Sequence, residues 1–116
     1  MIARRHLLAF GGIAALLTVA SVFPDGAIAA ARTPKTYTIE VNKMKFGPLP
    51  VSLHVGDTIV WANHDIFQHT ATANDRSFDI DLPPGKSARV VLKRAGNIRF
   101  FCKFHPGMTG TLVVAP

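Results

Sequence analysis

An all-β fold, specifically a Greek-key antiparallel β-sandwich of about eight strands, is what this sequence predicts. Three observations carry that expectation. Apolar and polar residues alternate with a period of two through most of the chain beyond residue 35. Turn-forming residues interrupt the alternation at short intervals. Nowhere in that stretch does the i, i+3, i+4, i+7 spacing of an amphipathic helix appear.

The first segment stands apart from this pattern. Arg4, Arg5 and His6 form a charged start, and residues 7–22 are apolar apart from Gly11, Gly12, Thr18 and Ser21. Ala27-Ile28-Ala29 then fits the small-x-small rule for signal cleavage, with Ala29-Ala30-Ala31 as a competing site. A membrane anchor is the alternative, but the apolar run falls short of the ~20 residues a span needs. Residues 1–29 are therefore expected to be a cleavable export signal peptide. The paired arginines leave twin-arginine and general secretory export both open. Residues 30–116 are the expected domain, delivered to the periplasm with no stable membrane insertion after cleavage.

Within that domain each element has its own justification. Residues 30–35 read as a frayed terminus. Tyr37, Ile39 and Val41 alternate with Thr38 and Glu40, and Val51, Leu53 and Val55 alternate with Ser52 and His54. Gly56-Asp57 turns the chain into Thr58-Ile-Val-Trp-Ala-Asn63, and a short run opens at His69. Phe78, Ile80 and Leu82 alternate with Asp79 and Asp81 before Pro83-Pro84-Gly85 stops the run. Val90 and Leu92 follow, then the Ala95-Gly96-Asn97 turn. Ile98, Phe100 and Cys102 share one face, which puts the Cys102 sulfur at the end of the core, and Thr111-Leu-Val-Val114 closes the domain.

Composition narrows the function. The 116-residue chain carries a formal net charge of +6, and removing Arg4, Arg5 and Asp25 with the signal leaves it basic. Export removes the opportunity to meet nucleic acid, and Lys93-Arg94 is the one adjacent basic pair beyond residue 29. An acidic protein partner is the expected use of that charge. There is one cysteine, so no internal disulfide can form, and a lone thiol in an oxidising compartment is a liability unless something occupies it.

What occupies it is written in Cys102-Lys-Phe-His105-Pro-Gly-Met108. A thiolate, an imidazole and a thioether recur at intervals of three in one short segment, where Pro106 and Gly107 permit a tight turn. A second imidazole completes the set. His69 opens a strand before Ala71, whereas its rival His64 lies in a polar Asn-His-Asp turn, which favours His69. Two His, one Cys and a weak axial Met are the ligands of a blue-copper electron-transfer site. Zinc is the chemical rival, but structural zinc sites usually carry more thiolates.

Two segments also carry a family resemblance. Gly56-Asp-Thr-Ile-Val-Trp-Ala-Asn63 resembles the stretch before the first histidine of cupredoxins of the plastocyanin/amicyanin group. Phe101-Cys-Lys-Phe-His-Pro-Gly-Met-Thr-Gly-Thr-Leu-Val-Val114 resembles their ligand loop and last strand. The short gap between His105 and Met108 is similar to that of amicyanins, plastocyanins and pseudoazurins having a longer one. The resemblance implies a cupredoxin fold from about Tyr37 to Val114, one type 1 copper held by His69, Cys102 and His105, and Met108 as axial ligand. Thr70 stands where amicyanins commonly have Asn, whose side chain ties the two ligand loops together; a threonine hydroxyl is expected to reach less far. Phe104 stands where they have proline, and its backbone N–H is expected to reach the Cys102 sulfur. Gly107 stands where they have a bulky apolar residue.

The expected function is a periplasmic electron carrier, not an enzyme, that is a monomer and cycles Cu(I)/Cu(II) between redox partner proteins: a dehydrogenase, cytochrome or oxidase with an acidic docking surface. The edge of His105 is the expected electron port, framed by Phe67, Phe104, Pro106 and Gly107, with Lys103 orienting the partner. The alternative is a copper-binding protein for delivery or tolerance, using the same ligands but exchanging its metal readily.

Overall fold

Alternation along the chain becomes nine strands in a computed structural model that describes residues 32–116, with 11, 12, 14–16 and 18. They are β1 (Thr36–Asn42), β2 (Lys45–Phe46), β3 (Leu53–His54), β4 (Thr58–Asn63), β5 (His69–Ala73), β6 (Asp79–Leu82), β7 (Ser87–Val91), β8 (Gly96–Phe101) and β9 (Thr109–Ala115). The export signal expected over residues 1–29 lies almost wholly outside the described residues. Among those that are described, no residue is helical and no helix is long and apolar enough to cross a membrane.

Two sheets hold the strands, in the orders β2-β1-β4-β7 and β3-β9-β8-β5-β6. Their inward faces supply the core: Ile39 and Val41 from β1, Ile59 and Trp61 from β4, Ile98 and Phe100 from β8, Leu112 and Val114 from β9. Trp61 is fully buried and meets Phe100 edge-on, with ring centroids 5.1 Å apart and planes at 70°. Phe46 packs edge-on against both rings. Such edge-to-face arrangements suit the ring quadrupole and contribute beyond the area they bury.

The structure refines the expected architecture in four places. Two pairings are parallel, β1 with β4 and β3 with β9, because connections crossing between the sheets bring a later strand back in the same direction. The ninth strand is β2, joined to β1 by a two-residue turn at Lys43-Met44. Of the run expected from Val51 to Val55, only Leu53 and His54 pair, and Val51 is exposed. Pro48 and Pro50 lie just upstream and supply no N–H to a ladder. Asp57 then takes the His54 N–H at 3.0 Å, which ends the strand in a turn.

The fourth concerns the start of the domain. Residues 32–35 are tied down where fraying was expected, because Asp57 is fully buried and a buried carboxylate needs partners. Arg32 supplies two N–H donors at 2.6 and 3.2 Å, and the Lys35 backbone N–H a third at 2.8 Å. The compact unit accordingly begins at Arg32.

Candidate metal centre

One end of the sandwich brings the predicted ligands together. His69 is the first residue of β5, Cys102 follows the last residue of β8, and Met108 precedes the first of β9. β5 and β8 are neighbours, with Thr72 opposite Phe101 and Ala73 opposite Phe100, so His69 and Cys102 meet at adjacent strand ends. The segment between Cys102 and Met108 closes on itself. The Cys102 N–H donates to the Met108 carbonyl at 3.0 Å, and the Met108 N–H to the His105 carbonyl at 3.1 Å. Gly107 sits at φ 94°, a left-handed conformation that a residue with a Cβ adopts only with strain. A bulky residue there would oppose this turn.

Three donor atoms face a common point. His69 Nδ1 and His105 Nδ1 are 3.1 Å apart, and Cys102 Sγ lies 3.5 Å from His105 Nδ1 and 3.8 Å from His69 Nδ1. A point equidistant from the three is about 2.0 Å from each, close to the length of a metal–nitrogen bond and slightly under that of a metal–sulfur bond. His69 and Cys102 are buried, His105 is half-buried, and Met108 is buried in the core cluster beside them. His64, the rival for the second imidazole, is half-exposed, with its Nε2 3.8 Å from Glu40 Oε1, and lies outside this cluster.

The surrounding contacts hold the donors in the required state. His69 Nε2 lies 2.7 Å from Asp65 Oδ2. A proton held on Nε2 by the carboxylate leaves the Nδ1 lone pair free to bind a metal. Asp65 is itself anchored: burial works to raise its pKa, but the N–H groups of Met44 and Lys43 and the bond to His69 outweigh that and hold it below the usual range. Asn63, also buried, donates to the carbonyls of Phe67 and Leu82, both at 2.8 Å, and accepts the Asp65 N–H at 2.8 Å. That fixes the loop that presents His69.

Two expectations about the loop are corrected. The Cys102 sulfur takes its backbone N–H from Thr70, at 3.4 Å, and among the described residues the Phe104 N–H is not one of its partners. The Phe104 ring is more than half exposed, so it gives the site little cover. Thr70 does span the gap between the ligand loops, its hydroxyl oxygen accepting the Lys103 N–H at 2.9 Å. The Lys103 ammonium, still 43% exposed, is paired with Asp79 Oδ2 at 2.7 Å.

Sequence reasoning missed Asp65, Thr72 and Asp79. The Asn-His-Asp turn four residues before His69 was the one available signal for Asp65. Nothing local marked the other two.

A β-sandwich holding two imidazoles, one thiolate and a neighbouring thioether at one end defines a mononuclear copper protein of the blue type. Its residues fit one type 1 copper ion. The chain belongs to the cupredoxin-like family, whose domain profile matches residues 9–114, and within it is amicyanin-like. Amicyanin of Paracoccus versutus is 27% identical over 105 residues, covering 84% of this chain and 77% of that one. Amicyanin of Paracoccus denitrificans is 26% identical over 115 residues, covering 93% and 88%. A solved reduced amicyanin variant superposes with a TM-score of 0.61 at 21% identity, covering 73% of this chain and 87% of that one. The copper-containing nitrite reductase of Thermus scotoductus SA-01 shares the fold at a TM-score of 0.61 and 24% identity, but over only 23% of its own chain.

Proposed function

We propose that the protein is a periplasmic blue-copper electron carrier, in which His69, Cys102, His105 and Met108 would hold the copper. The observation that carries this reading is the triangle of donor atoms around one point. Copper bound there supplies a one-electron couple. The protein's own part is to keep the donors still while the charge changes. Cys102 is held by the Thr70 N–H and His69 by Asp65, so both ligands are gripped from behind by groups outside the metal cluster. A site that need not rearrange between oxidation states exchanges electrons with little cost.

Access supports the same reading. His69 and Cys102 are buried, leaving the edge of His105 as the route to a partner. Ile66, Phe67 and Phe104 are exposed apolar residues in the ligand-bearing loops, and the Phe67 and His105 ring centroids are 6.3 Å apart. The partner is a redox protein with an apolar contact surface and acidic flanks, matching the basic charge of this chain. Export by cleavage after Ala29 leaves Arg32, and with it the Asp57 bridge, in the mature protein.

The copper-loaded protein is expected to be intensely blue and to give a reversible potential with rapid self-exchange. Cys102→Ser is expected to abolish the colour by removing the thiolate whose charge transfer produces it. A serine variant that stays blue defeats the ligand assignment. Copper lost to a weak chelator within minutes, with no reversible wave, would instead make this a delivery protein.

A further inference from the structure

Thr70 and Thr72 occupy an odd position. They lie on the face of β5 opposite Ala71 and Ala73, which are in the core cluster, yet they are 0% and 3% exposed. Lys103 and Asp79 are bonded to them there. The Lys103 N–H donates to Thr70 Oγ1 at 2.9 Å, and Thr70 Oγ1 and Thr72 Oγ1 are 3.0 Å apart. Thr72 Oγ1 donates to Asp79 Oδ1 at 2.9 Å, and the Lys103 ammonium donates to Asp79 Oδ2 at 2.7 Å. The chain of contacts leaves the ligand loop at the Lys103 backbone and returns to it at the Lys103 side chain.

We propose that Asp79 is a positioning residue for the copper-ligand loop, acting through Thr72 and Thr70 to hold the Lys103 backbone, and so Cys102, against β5. The argument is one of proton direction. A hydroxyl has a single hydrogen to donate, whereas an ionised carboxylate only accepts. Asp79 therefore takes the Thr72 hydrogen, which leaves Thr72 oxygen to accept from Thr70. Thr70 in turn must present lone pairs, not a hydrogen, to the Lys103 N–H. Without an acceptor at the far end, two neighbouring hydroxyls have no preferred order, and the reverse order makes Thr70 oxygen accept from both Thr72 and the Lys103 N–H while its own hydrogen has no fixed acceptor.

Geometry places the pieces to do this. Asp79 opens β6 directly opposite Thr72 in the β5–β6 register, and Thr70 also donates its own N–H to the Cys102 sulfur. Thr70 thus joins the loop to the strand by two bonds, one to the Cys102 sulfur and one from the N–H of the next residue, Lys103. Neither Asp79 nor Thr72 belongs to the donor cluster. This inference takes Cys102 to be a copper ligand, as proposed above.

Amide hydrogen exchange of the metal-free protein tests the clamp without relying on copper. Asp79→Ala and Thr72→Val should each speed exchange at the Lys103 amide by about tenfold, the loss of roughly one hydrogen bond. The double variant should exchange no faster than either single one, because both act on one chain of bonds. The amides of Ile59 and Leu112, in the core, should keep their protection. Unchanged Lys103 exchange in both single variants overturns the proposal, as does fully additive acceleration. Acceleration shared equally by Ile59 and Leu112 also overturns it, since that marks general loosening of the fold. A parent protein that takes up copper without turning blue would defeat the functional reading but leave these exchange rates as the test of the clamp.

Discussion

Gly110 has no room for a side chain. A Cβ there would lie 2.4 Å from Phe100 Cζ and 2.8 Å from Phe100 Cε1. Phe100 cannot give way cheaply, because it is buried and packed edge-on against Phe46 at 4.9 Å and Trp61 at 5.1 Å. Gly110→Ala is therefore expected to cost about 1–3 kcal/mol through forced repacking. The urea midpoint of the metal-free protein should fall, and an unchanged midpoint would show that the ring cluster is softer than it looks. The glycine was visible in the sequence, but its reason was not. Nothing near Gly110 in the chain says that a phenyl ring from β8 lies over it.

At the scale of elements, the turn between β1 and β2 shows how a local signal is replaced by a distant one. Lys43 and Met44 have φ of 51° and 60°, values for which a two-residue hairpin normally uses Asn-Gly. Neither residue suits the left-handed region, so no hairpin was legible there. The Asp65 carboxylate holds the turn instead, accepting the Lys43 N–H at 2.7 Å and the Met44 N–H at 3.0 Å. Met44→Gly should stabilise the protein by about 0.5–1 kcal/mol by relieving that strain. Asp65→Ala should destabilise it by about 1–3 kcal/mol, since two turn donors and His69 lose their acceptor. Urea unfolding of metal-free variants decides both, and a neutral Asp65→Ala would mean that the turn holds itself.

Across the whole molecule, Asp57 couples the start of the domain to its pH stability. Hydrogen bonds from Arg32 pull its pKa from 3.8 to about 2 against the cost of burial, aided by the Lys35 and His54 N–H groups. The folded value lies below the unfolded one. The stabilisation is thus complete above about pH 5 and is lost as pH falls through 3.8 towards 2, in all about 2 kcal/mol. Asp75 and Asp79 are lowered too, by hydrogen bonds from Ser77 and Lys103 respectively, and act in the same direction. Arg32→Ala should raise the pH at which acid unfolds the protein, measured by fluorescence of Trp61. An unshifted acid midpoint would remove Arg32 from that role. Expecting a frayed terminus at residues 30–35 missed this because the partner carboxylate is more than twenty residues away in the chain and its burial comes only with folding.

The sequence by itself determined the sandwich and most of the donor set. Period-two alternation encodes which side of a strand faces inward, and Cys102, His105 and Met108 are close enough in the chain for spacing to mark a shared site. His69 was already favoured over His64 by its place at the start of a strand, and the tertiary structure supplied how it meets them, through β5 lying beside β8 in one register. It also decided which groups contact the donors from behind: Asp65 at His69, and the bonded circuit of Thr70, Thr72, Asp79 and Lys103 beside the loop. Local pattern fixes faces and turns through sterics and burial within a few residues. Contacts between residues far apart in the chain exist only once crossing strands have chosen their neighbours, and no short-range preference records that choice.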